Sequence, residues 1–357
     1  MPAGFSFIIP IHNAEDYLDA CLDSIKDDAL SLSAENYVQV ILVENGSTDN
    51  TAARADRWIR NNSVEKRIDI SLVYSEKGVS CARNKGIELS KGSHLIFVDS
   101  DDMWIKGSLA QISKDIEEKG ADLYVYGFAK GRRDQSVPDC KNIVHKPSFK
   151  RLAGDAETLE QCKAWLISRP TYRMQAWGKV FDSAIVKSKA LKYTETLTYS
   201  EDSEFVLRYL QECGTVYISD KAVYRYIINP DSAMCRRSKE TGARRLNSYV
   251  ASMVASREVM RGQSGEAMAA FWEYVLSHLN IILVHDVFDC LGALSWRERN
   301  RLLRELVEMK IFAEALENIS YRRCLTYSLL PELCIKCRLY VLCGVLSCGK
   351  SYLNHVR

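Results

Sequence analysis

The spacing of apolar and polar positions divides the chain into two parts. Over the first 130 residues, short β-branched and aromatic runs at Phe5–Pro10, Val38–Val43, Ile68–Tyr74, His94–Val98 and Leu123–Phe128 predict strands. Amphipathic stretches lie between them. Ala14–Lys26 sets Tyr17, Leu18, Cys21, Leu22 and Ile25 on one helical face, and Asn50–Arg60, Ser80–Ser90 and Gly107–Lys119 read similarly. Repeated β-α-β units predict an α/β fold with a mainly parallel sheet and helices on both faces. From Lys130 to Arg151 the pattern gives way to polar residues with Gly131, Pro138 and Pro147, which predict a loop. Helical spacing returns at Leu159–Ile167 and Glu201–Cys213, and strand spacing at Val216–Ser219 and Val223–Ile228. Beyond a turn at Asn229-Pro230-Asp231 only helices are predicted, at Arg244–Met260, Ala267–Asp286, Trp296–Met309 and Leu329–Leu346. The expected organisation is an α/β domain over residues 1–230, followed by an α-helical C-terminal appendage over 231–357.

Composition narrows the class. Of 357 residues, 47% are apolar and 26% charged, the mix of an ordinary folded protein. The net charge of +2 gives no global reason to expect nucleic acid as a partner. Residues 1–230 carry −3 and residues 231–357 carry +5, so the helical part is the basic part. Phe5 opens a strand with no basic segment or cleavage pattern before it, so the 12 cysteines are expected to be reduced thiols in a cytoplasmic protein. The longest uncharged apolar stretches, Tyr274–His285 and Leu339–Gly349, fall short of the roughly 20 residues that cross a bilayer.

In the C-terminal stretch, Leu330, Leu333, Cys334, Cys337 and Val341 share one helical face. From Ser320 onward Arg322, Arg323, Lys336, Arg338, Lys350 and Arg357 oppose only Glu332. Such a basic amphipathic helix fits peripheral contact with an anionic membrane, here its inner face, and equally a helix packed on the domain or in a homo-oligomer interface. Cys334, Cys337, Cys343 and Cys348 begin with a Cys-x-x-Cys pair that could ligate zinc. Their apolar helical setting favours buried thiols instead.

The polar clusters carry the chemistry. His12-Asn13, Glu44-Asn45-Gly46-Ser47, Glu76-Lys77-Gly78 and Asp99-Ser100-Asp101-Asp102 each follow a predicted strand. In an open parallel sheet these positions gather along the carboxyl edge, where ligands bind. Three carboxylates within four residues repel unless a cation is shared, and hard oxygen ligands suit magnesium or manganese completed by substrate phosphates. An acidic turn capping the next helix is the bland alternative. No Gly-x-Gly-x-x-Gly follows a strand and no Walker-type loop is present, so any phosphates must be held by a metal and by scattered donors such as Arg83 and Lys77.

Six segments, in order, resemble family 2 glycosyltransferases of the GT-A fold. They are Phe5–Asn13, Val43–Thr51, Gly78–Ile87, Ile96–Asp102, Trp177–Phe181 and Ser200–Ser203. The resemblance is strongest over the first 105 residues and extends more weakly to about residue 232. It implies a nucleotide-sugar-binding half (1–105) and an acceptor half (106–230), with Pro10, His12, Asn13, Glu44, Asn45, Ser47, Lys77, Arg83, Asp99, Ser100 and Asp102 about the donor. Asp99 and Asp101 match the Asp-x-Asp motif that holds a divalent metal, Mn2+ or Mg2+. Asp202 matches the general base on the acceptor hydroxyl, and Glu201 and Trp177 fall at the acceptor. Helix-terminal charge complementarity for Asp202 and core packing for Trp177 are the plain alternatives. Where the family commonly has two aspartates, this chain has Glu44-Asn45, whose amide can accept from or donate to a base; UDP is the implied nucleotide. The implied activity is inverting transfer of a sugar to a saccharide or lipid-linked acceptor in capsule, O-antigen or related polysaccharide synthesis. The rivals are a nucleotidyltransferase of similar fold, which needs a basic glycine-rich loop that Phe5–Asn13 lacks, and a catalytically inactive scaffold.

Overall fold

The computed structural model describes residues 4–33, 35–62, 68–132, 151–153, 156–168, 170–228, 239–263, 265–290, 292, 294–325 and 329–356. Most of the expected loop between Lys130 and Arg151, and the turn at Asn229-Pro230-Asp231, lie outside them. Contacts group the chain into two compact units: Met1–Leu159 with Gln175–Arg236, and Glu160–Met174 with Arg237–Arg357.

The first unit alternates as its apolar pattern dictates: β1 (Gly4–Ile11), α1 (Leu18–Ser31), β2 (Tyr37–Glu44), α2 (Thr51–Asn62), β3 (Ile68–Tyr74), α3 (Val79–Leu89), β4 (His94–Phe97), β5 (Met103–Trp104), α4 (Ser108–Lys119) and β6 (Leu123–Gly131). β7 (Arg151–Ala153), the start of α5 (Ala156–Ile167), β8 (Lys179–Asp182), α6 (Ser183–Ser188), α7 (Glu201–Glu212) and β9 (Val216–Ile227) follow. The sheet runs β3-β2-β1-β4-β8-β6-β9-β5, with β7 beside β9. β1 to β4 pair in parallel, and β1 is buried along its whole length, as a strand covered on both faces must be.

The sheet is mixed rather than mainly parallel. β8, a four-residue strand, inserts antiparallel between β4 and β6, while β6 and β9 pair in parallel across a bulge. The two strands expected between Val216 and Ile228 are one continuous β9.

Register explains why the polar clusters meet. Ile11 pairs with Glu44 and Glu44 with Tyr74, and the Val98 amide donates to the Ile8 carbonyl. The residues after β1, β2, β3 and β4 therefore share one edge. Gly86 lets α3 approach that sheet, since a Cβ there would lie 2.3 Å from Ile8 Cγ2. Buried Asp28 accepts from Trp104 Nε1 (2.9 Å) and the Leu109 amide (2.8 Å), anchoring the segment just after the acidic cluster.

Among its described residues, the second unit has no strand. Besides the end of α5 it contains α8 (Lys239–Val259), α9 (Gly265–Ile282) with a π-helical continuation to Val287, α10 (Trp296–Glu308), α11 (Lys310–Asn318), α12 (Tyr321–Cys324), α13 (Leu330–Lys336) and α14 (Tyr340–Val356). Gly265–Val287 is long and apolar enough to cross a membrane by length and composition, yet 78% of its apolar 18-residue window is buried within the protein, as in a core helix. The single helix expected over Leu329–Leu346 is broken, with Arg338 in the left-handed region (φ 61°) between α13 and α14. The expected apolar face from Leu330 to Val341 is therefore split. Cys334 and Cys343 are buried thiols, whereas Cys337 is exposed.

Candidate active site

The site is built at the carboxyl edge of β1 to β4, within the first unit. Beyond β1, Asn13 takes a left-handed conformation (φ 50°), its Oδ1 accepts from the Thr48 amide (2.8 Å), and its own amide donates to Ser47 Oγ (3.2 Å). Glu44, at the end of β2, accepts from the Gly46 amide (3.1 Å) and from the Ser47 amide. Burial would raise the Glu44 pKa, but these amides and nearby His12 hold it below the ordinary value. Gly46 (φ 89°) lies beneath the aliphatic stem of Lys77, 3.6 Å from where a Cβ would stand. Pro10 and Asn45 are buried behind this loop pair, and His12, Asn13 and Lys77 are exposed along it.

At the centre is Arg83, projecting from α3 and only 4% exposed. Its Nη2 meets Asp99 Oδ1 at 3.1 Å, and its Nη1 meets Glu201 Oε1 at 2.8 Å and Asp202 Oδ1 at 2.7 Å. The guanidinium also lies over the Tyr193 ring, 5.1 Å from its centroid. One cation thus gathers three carboxylates from two distant parts of the chain. Burial alone would lower the Arg83 pKa, but the carboxylates outweigh it and keep the guanidinium charged. The excess negative charge acts back on the acids. Burial, reinforced by Asp202, pushes Glu201 up to about 7. Asp99 is raised to about 6, by burial and by Asp202 and Asp101 against the pull of Arg83.

Asp202 stands in the first turn of α7, where the positive end of the helix dipole favours an anion. Its Oδ2 accepts from the Ala176 amide at 3.1 Å. The turn carrying that amide is held by Lys179, whose buried Nζ donates to the Gln175 carbonyl (2.6 Å) and whose pKa is lowered to about 7 by burial.

The acidic cluster is not uniform. The Asp99 side chain is about a third exposed (35%), and Ser100 and Asp101 are half-buried. Asp102, expected beside the sugar, is 2% exposed, with one oxygen accepting from Tyr224 Oη (2.6 Å) and the other from the Ile227 amide (2.7 Å). Burial and the neighbouring charges of Asp99 and Asp101 drive its pKa well above the carboxylate range. The same Tyr224 hydroxyl accepts from the Asp99 amide (3.2 Å), so Asp102 sets the backbone of the cluster. Trp177, expected at the acceptor, is 9% exposed, stacked on Tyr224 (5.0 Å, 9°) and edge-on to Phe128 (4.6 Å).

Of the residues singled out from sequence, Arg83, Asp99, Glu201 and Asp202 meet directly. Asn13, Glu44 and Ser47 form a separate hydrogen-bonded loop pair on the same edge. Tyr193, Tyr224, Lys179, the Ala176 amide and Asn84 were not foreseen. Asn84 exchanges hydrogen bonds with the Tyr193 backbone (2.9 and 2.7 Å), holding the ring under Arg83. Only Asn84 and Lys179 had a sequence signal, since they fall inside the motifs Gly78–Ile87 and Trp177–Phe181.

A mixed sheet flanked by helices, with carboxylates at its strand edge and a helical C-terminal region, makes this a protein of the GT-A fold. The first 349 residues of the Staphylococcus aureus protein TarS, crystallised with UDP-GlcNAc, superpose with a TM-score of 0.65 over 99% of this chain and 92% of that one, at 19% identity. A mannosyltransferase from Pyrobaculum calidifontis, solved with GDP-Man and Mn2+, gives 0.50 over 99% and 88%, at 13% identity. Residues 6–165 match the family model described as glycosyl transferase family 2, so the chain carries a family 2 glycosyltransferase domain. By sequence it is 28% identical over 232 residues to the uncharacterized glycosyltransferase EpsJ of Bacillus subtilis, covering 64% of this chain and 62% of that protein. It is also 28% identical over 222 residues to TarS, a poly(ribitol-phosphate) beta-N-acetylglucosaminyltransferase, covering 62% and 35%. The matched region is thus between about a third and just under two thirds of these relatives' length.

Proposed function

We propose that the protein is a metal-dependent, inverting glycosyltransferase that moves a sugar from a nucleotide-diphosphate donor, a UDP-sugar, to a saccharide acceptor, free or lipid-linked, in cytoplasmic assembly of a cell-surface polysaccharide. The observation that carries this reading is the convergence of Asp99, Glu201 and Asp202 on one buried arginine at the ligand-binding edge of the sheet. The UDP-GlcNAc and GDP-Man in the related structures support a nucleotide-sugar donor, and the poly(ribitol-phosphate) acted on by TarS supports a polymer acceptor.

The donor set fits a divalent cation. Among the described residues no three or more His, Cys, Asp or Glu side chains form a metal cage. Magnesium and manganese are commonly held by one or two carboxylates with substrate phosphates supplying the rest, which suits Asp99 and Asp101. Bound there, the ion supplies Lewis-acid stabilisation of the departing diphosphate.

The chain's own residues do the remainder. Arg83 and the Ala176 amide hold the two oxygens of Asp202 in place, and a base that takes the proton of an acceptor hydroxyl must be positioned in this way. The acceptor hydroxyl attacks the anomeric carbon from the face opposite the diphosphate while Asp202 takes its proton, so the new glycosidic bond forms as the bond to the diphosphate breaks and the carbon is inverted. Asp102 and Trp177, both buried, act by positioning: the first through Tyr224 and the Asp99 backbone, the second by packing on the same tyrosine.

A thermal-shift panel of nucleotide-sugars, with and without manganese, tests this reading. A UDP-sugar should raise Tm only with the metal, and Asp101→Ala should remove the shift without lowering the Tm of the free protein. An equal shift in wild type and variant would contradict the metal assignment.

A further inference from the structure

The outer surface of the second unit has a feature that sugar transfer does not use. On α14, Val341 (65% exposed), Val345 (54%) and Tyr352 (61%) stand in solvent with Leu342 and Leu353. At 3.6 residues per turn they fall, with Gly349, on one face that carries no charge. The opposite face is packed. Cys343, Ser347 and Ser351 are buried, Ser351 Oγ accepts from the Cys290 amide (3.1 Å), and a Cβ on Gly344 would meet Phe288 and Trp296 at 2.8 Å. The helix is therefore seated, and its apolar stripe is its outward side.

The charges around the stripe are mainly basic. From Ser320 to the end of the chain the sole acid is Glu332, which is fully buried, whereas Arg322 and Arg338 are exposed. On the adjoining α10, Arg297, Arg301 and Arg304 recur at turn intervals, with Arg304 over the Tyr340 ring at 5.1 Å. Glu298, Glu305 and Glu308 are the acids on that side of α10, Glu298 engaged in the cap at Ser295 and Glu305 lying 3.8 Å from Arg301. An apolar stripe bordered by arginines suits the boundary between lipid headgroups and acyl chains, where apolar burial and attraction to anionic lipid add together.

We propose that α14 and the arginine row of α10 dock on an anionic lipid surface. This deepens the reading above by naming where a transferase acting on a lipid-linked acceptor would meet its membrane, and it rests on that reading.

Flotation of the full chain with vesicles of phosphatidylglycerol and phosphatidylcholine, against phosphatidylcholine alone, tests it. The protein should float with the anionic vesicles at low salt. Arg297→Gln and Arg304→Gln should each weaken partitioning about fivefold, the effect of one basic residue near such a surface. The exposed pair Val345→Glu and Tyr352→Glu should abolish flotation with unchanged Tm and circular dichroism. No flotation at low salt, or flotation indifferent to the glutamates, would overturn the proposal. So would a dimer in sedimentation velocity that the glutamates dissociate while vesicle binding stays absent. The UDP-sugar thermal shift on the same samples separates the two readings: a shift without vesicle binding removes the membrane face alone, and vesicle binding without a shift removes the transferase reading alone.

Discussion

Arg83 shows how much of the site depends on one side chain. Its two terminal nitrogens serve acids from the ends of β4 and α7, which an ammonium cannot do with a single point charge. Arg83→Lys should therefore keep charge balance and fold but leave Asp202 misplaced, lowering kcat on the order of 100-fold with little change in donor affinity. Steady-state kinetics beside donor titration would check this. Arg83→Met removes the cation from among three carboxylates, and breaking such a buried pair costs about 3–5 kcal/mol, read as a fall in denaturant midpoint. The motif order in the sequence pointed to Asp99, Glu201 and Asp202 individually. Their meeting on Arg83 was open there, because Arg83 and Asp202 are far apart in sequence and no local periodicity encodes their contact. Tyr224 was hidden for a related reason: on β9 it reads as one more aromatic of a strand, and only the fold brings its hydroxyl between Asp99 and Asp102.

Elements with strong periodicity were legible, and short ones were not. β1 and β2 announced themselves through buried runs rich in β-branched residues, and β3 through a half-buried one at the sheet edge. β8 did not, since Lys179-Val180-Phe181-Asp182 has too few residues to alternate and gains its strand form from β4 and β6 on either side. The break between α13 and α14 was equally silent, because a left-handed Arg338 has no proline or glycine to signal it. Where a motif residue has a packing reason, that reason can be tested. Gly86→Ala should destabilise the protein by about 1–3 kcal/mol by overpacking Ile8. Removing the facing methyl groups with Ile8→Ala should make the double variant less destabilised than the sum of the singles. Additive losses in denaturant unfolding would show that α3 and β1 do not meet as described.

At the scale of the whole molecule, the two units differ in the groups they bury. The helical unit buries His278 beside Tyr274 and Tyr249, with ring centroids at 4.4 and 5.4 Å, and burial lowers its pKa to about 4. The folded form thus binds this proton more weakly than the unfolded chain, whose His titrates near 6.5. Stability held above pH 6.5 should be lost as pH falls from about 6.5 to about 4, by up to about 3 kcal/mol, and His278→Phe should flatten that part of the profile. Urea unfolding at a series of pH values measures it. The α/β unit carries the central claim, that Asp202 is the base of a sugar transfer. The most direct measurement is UDP released from a UDP-sugar with acceptor and manganese, comparing wild type with Asp202→Asn while donor binding is monitored. Donor binding should be unaltered and transfer reduced at least 100-fold, about the usual contribution of a positioned base. An Asp202→Asn enzyme that transfers at the wild-type rate would contradict this claim.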